Sequence, residues 1–349
     1  MSNATANLAA LLPSAGGQFV VEERPIPSPG PEDILLRNHA AALNPIDWKR
    51  QAFGIAIPTY PSIFGSDAAG VVAAVGSAVT SFKPGDRVIA SADGMGTGNI
   101  DRAAFQTYTV VSASAAAKLP DTLTFNEGAT LPTALGTAAI ALFDVLGLPT
   151  ASITANKGPS TAKQGILVWG GASSTGSATV QLARLAGLTV FATASPQHHE
   201  RVRALGATAV VDYRSPTVVD ELVAAARQAG VDITLAADAL TKAETVSPVV
   251  DVLSRFEGPK KVATLGLWPE QVARPEGVEA ASVRGLKIWE ERRDLSVLLF
   301  NEHLGAWLEK GEVVPGTVRV VDGGLGGLQG ALDELKKGGV SGEKLVVEI

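Results

Sequence analysis

The stretch "ILVWGGASSTGSATVQLARLAG", Ile166–Gly187, opens on four apolar residues, breaks at two glycines and then takes up a helical period. Read from Gly171, the spacing is G-x-S-x-x-G, with Gly171, Ser173 and Gly176 where a dinucleotide fingerprint carries three glycines. The glycines of the tight turn and of the close helix packing are kept, while the middle position gains a hydroxyl. The pattern takes its meaning from the downstream chain. "LTVFATA", "TAVVDY", "DITLAAD" and "KKVATLG" are further apolar runs, separated by the helical periods "PQHHERVRALG", "SPTVVDELVAAARQAG" and "TKAETVSPVVDVLSRF". Short apolar strands alternating with helices predict a parallel sheet covered on both faces, a doubly wound α/β domain whose series closes at "KKVATLG". The turn Ala172, Ser173, Ser174, Thr175 and Gly176 then lies at a helix N-terminus, where main-chain N–H groups and hydroxyls suit a diphosphate; the plainer alternative is an ordinary Gly/Ser-rich loop capping the helix.

The end of the second strand bears on which dinucleotide binds. An NAD site places Asp or Glu about 20 residues beyond the glycines. Here that strand ends in Ser195, with Pro196, Gln197, His198 and His199 next and Arg201 and Arg203 on the following helix. A hydroxyl and cations in place of a carboxylate predict a bound 2'-phosphate, hence NADPH, with Tyr213 at the end of the third strand closing over the adenosine. The plainer reading makes these arginines a solvated helix face. Adjacent histidines on a helix point about 100 degrees apart, so His198 and His199 do not predict a metal site.

Upstream, "DILLRNHAAAL", "GVVAAVG", "DRVIASA" and "FQTYTVV" are short runs punctuated by Pro and Gly, which predicts a β-rich domain. The apolar C-terminal strand "KLVVEI" needs a sheet to join, and that domain is its host. The expected division is 1–135 with 297–349 for the discontinuous β-domain and 136–296 for the nucleotide-binding domain. "GLPTASITANKGPSTAKQG" reads as a surface loop between them.

The chain has 349 residues, 46% hydrophobic and 18% charged, with a formal charge of -6 and no cysteine. No basic cluster suits nucleic acid or an anionic membrane, and no apolar run is expected to reach the ~18 to 20 residues a membrane span needs. The N-terminus lacks a basic region before its apolar patch, which argues for a cytoplasmic protein. Thiolate chemistry, disulfides and cysteine-ligated zinc are excluded. No G-x-S-x-G elbow supports a hydrolase.

"NPIDWK", "FGSDAAGVVAAVG", "FKPGDRV", "LPTALGTAAIAL", "GGASSTGSATVQLARLAG", "LGATAVVDYR" and "SGEKLVV" together resemble the medium-chain dehydrogenase/reductase superfamily in its zinc-free quinone oxidoreductase branch. Within it the chain is most similar to fungal trans-acting enoyl reductases of secondary metabolism. The resemblance covers nearly the whole chain and implies a GroES-like β-domain, a Rossmann domain and an active site in the cleft between them. Zinc-dependent members carry a cysteine at the "NPID" turn and a histidine-glutamate pair at Ser66 and Asp67; this chain has neither set, so no metal is expected. The resemblance places Ile46, Asp47, Trp48 and Lys49 against the nicotinamide side. It puts Ala172 to Gly176 on the diphosphate, and Ser195, Pro196, Gln197, His198, Arg203 and Tyr213 around the adenosine 2'-phosphate. Leu265 and Gly266 meet the nicotinamide end, and Val340 and Ser341 the mouth of the cleft. Thr137, Ala138, Ala139, Ile140, Ala141, Leu142, Phe143 and Asp144 follow the substrate channel. The segment 286–296 looks shorter than in polyketide-acting relatives.

Without a metal, the reaction that fits NADPH is conjugate reduction: hydride to the β-carbon of an α,β-unsaturated carbonyl, then protonation of the enolate. The protein must stabilise an oxyanion and manage a proton. Lys49 is the candidate cation; the bland alternative is a lysine on an exposed turn, its stem over Trp48 or Phe53. Asp47 reads best as a turn-former bonding local backbone. Tyr60, Tyr108 and Trp289 are further proton donors or pocket walls. The substrate is a small enone or a carrier-bound enoyl group, with a polyketide synthase as the implied partner, and the chain a monomer or homodimer. Competing readings are a quinone or carbonyl reductase and a non-catalytic NADPH-binding partner protein.

Overall fold

Sixteen strands carry the architecture of the computed structural model, which describes residues 6–154 and 164–349. In chain order they begin with β1 (Asn7–Leu12), β2 (Val20–Arg24), β3 (Asp33–Ala42), β4 (Ser62–Ile63), β5 (Asp67–Val75), β6 (Arg87–Ser91), β7 (Tyr108–Ser112) and β8 (Ala116–Lys118). Next come β9 (Gln164–Trp169), β10 (Thr189–Thr193), β11 (Ala209–Val211), β12 (Asp232–Asp238), β13 (Lys260–Thr264) and β14 (Val278–Ser282), and finally β15 (Thr317–Val321) and β16 (Glu343–Glu348). The chain divides into two units, Met1–Thr133 with Leu286–Ile349, and Ala134–Gly285.

In the first unit, β2-β1-β4 form a small sheet, and a larger one runs β15-β16-β3-β5-β6-β8 with β7 also on β3. β16 pairs antiparallel with β3, Val346 opposite Ala42, so the last strand completes the first domain's sheet. Its apolar run is the reason: Leu345, Val346 and Val347 are at most 3% exposed.

The second unit is a six-stranded parallel sheet in the order β11-β10-β9-β12-β13-β14. Strand order reverses direction between β9 and β12, the kind of switch point beside which α/β sheets bind ligands at their carboxyl edge. Helices such as Val218–Ala229 cover the faces. Val218, Leu222, Val223 and Ala226 recur at helical spacing and are buried, and Gly230 at φ 69 ends the helix. Burying Leu222 fully contributes roughly 1.5–3 kcal/mol.

Three expectations need adjustment. The parallel series does not close at "KKVATLG": β14, "VEAAS", adds an edge strand whose polar letters hid it. The second boundary falls at Gly285, not after Ser296, because residues 286–296 are bonded to the first unit. Trp289 Nε1 donates to Ser91 Oγ at 3.1 Å, Ser296 Oγ to the Ser114 carbonyl at 3.1 Å, and Arg293 meets Glu32 at 2.6 Å. Lastly, the helical run Phe125–Val145 is long and apolar enough to cross a membrane, yet 78% of its most apolar stretch of 18 residues is buried as core. Of the loop expected at Gly147–Gln164, residues 155–163 lie outside those described, while Ala151–Thr154 forms one helical turn.

Candidate active site

The helix Pro45–Phe53 begins where "NPID" was read as a turn. Pro45 suits its first position, and Asp47 Oδ2 accepts the Asn44 amide at 2.7 Å, the local backbone role expected of it. Asp47 is 1% exposed, and its Oδ1 has no partner among the described residues. Burial pushes its carboxyl up to about 6. Its side chain is therefore turned into the first unit.

Beside it lies a buried network that the sequence reading missed. Lys344 Nζ donates to Asn44 Oδ1 at 2.6 Å and stands 3.0 Å from Asp67 Oδ2; Asn44 Nδ2 donates to the same Asp67 oxygen at 2.8 Å. Asp67 Oδ1 accepts the Thr133 amide at 2.6 Å. Asn44, Asp67 and Lys344 are all at most 5% exposed. An ammonium thus bridges Asn44 of the "NPID" turn and Asp67 of the Ser66-Asp67 pair. The only hint in the sequence is a charged letter inside each apolar run, "SDAAG" and "EKLVV".

Lys49 points the other way. It is exposed, with Nζ 5.8 Å from the Trp48 ring centroid. Arg50 is buried over Phe64 and donates to the Ala56 carbonyl at 3.1 Å. Ile46 and Trp48 are half-buried. Val340 and Ser341 lie just before β16, half-buried and exposed.

In the second unit, β9 runs into Gly170–Ser173 and then the helix Ser174–Leu185. Ser173 is the N-cap: its Oγ accepts the Gly176 amide at 3.0 Å and donates to the Gly170 carbonyl at 2.8 Å. Its hydroxyl is therefore engaged within the turn, which leaves the half-buried Ser174 and Thr175 as the residues able to meet a ligand there. Gly176 must be glycine, since a Cβ would lie 2.1 Å from the Gly170 carbonyl oxygen. Ala172 is half-buried on the same turn.

At the ends of β10 and β11, Ser195 Oγ and Tyr213 Oη are 3.3 Å apart, and Tyr213 is 41% exposed. His198 lies 3.3 Å from Gln197 Nε2, and His199 Nε2 lies 2.9 Å from the Ala194 carbonyl. Pro196 and Gln197 are exposed. Arg203 is exposed and has no carboxylate partner among the described residues, whereas burial holds the half-buried Arg201 below the usual arginine range. Arg214, not picked out from the sequence, stands 5.4 Å from the Tyr213 ring centroid but is held by Asp212 at 3.1 Å.

Leu265 and Gly266 follow β13 and are half-buried. Of the eight channel candidates, Ala138 to Phe143 are buried, through a π-helical run Ile140–Val145; Thr137 and Asp144 are the half-buried ones. Trp289 borders a cavity of about 460 Å³ in the first unit. Its arginines are matched by carboxylates: Arg102 meets Asp93 at 2.6 Å and Asp33 at 3.0 Å, and Arg293 meets Glu32. Tyr60 is 37% exposed and Tyr108 half-buried within β7. The described residues contain no group of three His, Cys, Asp or Glu able to hold a metal.

Comparison with known proteins agrees with this fold. Residues 30–121 match the alcohol dehydrogenase GroES-like domain, and residues 174–276 the zinc-binding dehydrogenase family. A trans-enoyl reductase from Aspergillus flavipes is 39% identical over 98% of both chains. One from Aspergillus terreus is 42% identical over 75% of this chain and 86% of its own. The solved CurK enoyl reductase has the same fold, with a TM-score of 0.75 at 20% identity over 98% of this chain and 99% of its own.

Proposed function

Because the chain belongs to the medium-chain dehydrogenase/reductase superfamily, with trans-enoyl reductases of fungi among its relatives, we propose that it is an NADPH-dependent enoyl reductase. The superfamily uses NAD(P)H; the 2'-phosphate form is our reading of the adenosine end. The observation that carries it is the pair Ser195 and Tyr213, 3.3 Å apart, with Arg203 nearby in sequence and no carboxylate at the end of β10.

When bound, the dinucleotide supplies a hydride to the β-carbon of an α,β-unsaturated carbonyl. The amides and hydroxyls of Ser174 and Thr175, at the N-terminus of a twelve-residue helix, hold the diphosphate. Ser195, Arg203 and Tyr213 hold the 2'-phosphate, assisted by the Pro196–His198 turn. Lys49 stabilises the oxyanion of the enolate. It is the candidate because Lys344 is already paired with Asp67, and Arg50 is buried with its donors on carbonyls. The α-carbon then takes up a proton. Ile46, Trp48, Leu265, Gly266, Val340 and Ser341 border the nicotinamide and the entrance, with Thr137 and Asp144 toward the substrate. Asp47 contributes by capping its helix. The substrate is an enone or a carrier-bound enoyl thioester, the latter delivered by a polyketide synthase in the cytoplasm.

Turnover of small enones and enoyl thioesters of rising length with 4-deuterated NADPH tests the reading. Deuterium on the β-carbon is expected. Label on a carbinol carbon would make it a carbonyl reductase instead, and tight NADPH binding without turnover a cofactor-binding partner protein. Lys49→Ala is expected to lower kcat by about 10²-fold or more, the scale of removing one oxyanion-stabilising group.

A further inference from the structure

The loop after β12 holds a residue in a conformation its side chain disfavours. Thr241 has φ 51, a left-handed backbone costly for a β-branched residue. Asp238, fully buried at the end of β12, holds it there: its Oδ1 accepts the Leu240 and Thr241 amides at 2.9 and 3.0 Å, and its Oδ2 the Thr245 hydroxyl at 2.6 Å. The Thr241 hydroxyl donates to the Asp238 carbonyl at 3.1 Å and accepts the Gly266 amide at 3.1 Å. The Gly266 carbonyl in turn accepts the Thr264 and Ser282 hydroxyls, each at 2.8 Å.

Both main-chain groups of Gly266 are therefore engaged within the second unit. Gly266 is a fixed pivot, and Leu267 beside it is 87% exposed. At the other end of the loop, Leu240 lies over Gly170: a Cβ there would come 3.1 Å from Leu240 Cγ. The loop spans the carboxyl edge of the sheet from the end of β9 to the end of β13, across the switch point of the strand order. A strained residue held by several partners at such an edge marks a position kept for something other than stability.

We propose that Thr241 is a positioning residue, whose hydroxyl, braced by Asp238, fixes Gly266 and thereby sets where the nicotinamide end of the dinucleotide rests on the sheet edge. This rests on the reading of the second unit as the NADPH site. From this left-handed backbone the hydroxyl meets the Asp238 carbonyl and the Gly266 amide at once.

Thr241→Gly separates the two roles, because glycine relieves the strain and deletes the hydroxyl together. It is expected to melt at the same temperature as the unaltered protein or higher, yet to exchange the Gly266 amide hydrogen at least about tenfold faster without cofactor. Its NADPH dissociation constant, read by fluorescence, should stay within about threefold. Its kcat on an enone should fall about 10- to 100-fold, the scale of a small misplacement of reacting atoms, with a larger isotope effect from 4-deuterated NADPH. Thr241→Ser should restore exchange protection and rate. Should Thr241→Gly not fold, Thr241→Ala carries the exchange, affinity and rate readouts, without the strain relief.

A kcat within twofold of normal despite faster exchange overturns the proposal, as does a rate loss matched by an equal loss of NADPH affinity. Unaltered protein that binds no NADPH defeats the functional reading itself, and the proposal with it. Loss of NADPH binding seen only in the variants defeats the proposal alone.

Discussion

Two helix starts in this chain follow apolar strands and carry polar residues, and they do opposite things. At Pro45–Phe53 the polar groups turn inward: Asp47 bonds the Asn44 amide, and Lys344 joins Asn44 to Asp67, all at most 5% exposed. At Ser174–Leu185 one hydroxyl, that of Ser173, closes the turn, while Ser174 and Thr175 remain half-exposed. The first is a buried polar cluster in which only Asp47 Oδ1 lacks a partner among the described residues, and the second is the turn we propose as the receptor of a ligand. Charge therefore counts toward stability at the first, where water is absent, and toward ligand selection at the second.

The largest effect expected from this contrast is on the buried pair. Lys344→Met leaves the Asp67 carboxylate without its cation and should lower unfolding free energy by about 3–5 kcal/mol in denaturant melts. Adding Asp67→Asn should recover most of the loss. A single variant within about 1 kcal/mol of normal would mean that the network is not held by charge.

Next comes Asp47, whose folded carboxyl at about 6 stands above its ordinary 3.8. The folded protein keeps a proton that the unfolded chain releases in that interval. The burial penalty is thus absent below about pH 4, grows between about pH 4 and 6, and is complete above about 6. Asp47→Asn keeps an acceptor for the Asn44 amide without the charge. It should match the unaltered protein near pH 4 and exceed it at pH 8 by up to about 3 kcal/mol, from about 1.36 kcal/mol per pH unit. Parallel pH–stability curves for the two would contradict the buried, unpaired Oδ1.

The smallest effect belongs to the receptor edge. Ser195→Asp combined with Arg203→Ala should shift the ratio of kcat/KM for NADPH over NADH by about 10- to 100-fold toward NADH, the scale of one or two charge-assisted hydrogen bonds. Melting temperature should hardly move, because Arg203 is exposed and Ser195 only half-buried. An unchanged ratio would remove them from cofactor choice.

The core strands β9 to β13 were legible because each is an apolar run between helical periods. β14 was not, since an edge strand with Glu279 and Ser282 need not be apolar. Ser195 and Tyr213 were legible as a pair because both end neighbouring parallel strands, and parallel register brings such ends together. For the loop holding Ser173 both a ligand contact and a helix cap were legible, but which of the two its hydroxyl serves depends on how the Gly170 carbonyl and the Gly176 amide meet it in the folded turn.

Local periodicity and composition were enough for the doubly wound sheet, the glycine- and serine-rich turn after its first strand and the absence of cysteine ligands, because those depend on neighbours in the chain or on residue identity alone. Which lysine is buried, which carboxylate is raised and which threonine is strained depend on contacts across long stretches of chain. Lys344 meets Asn44 across 300 residues, and Thr241 meets Gly266 across 25. Such contacts are made by the packing of the sheets, so the burial and pairing that set each group's charge and geometry exist only in the folded chain.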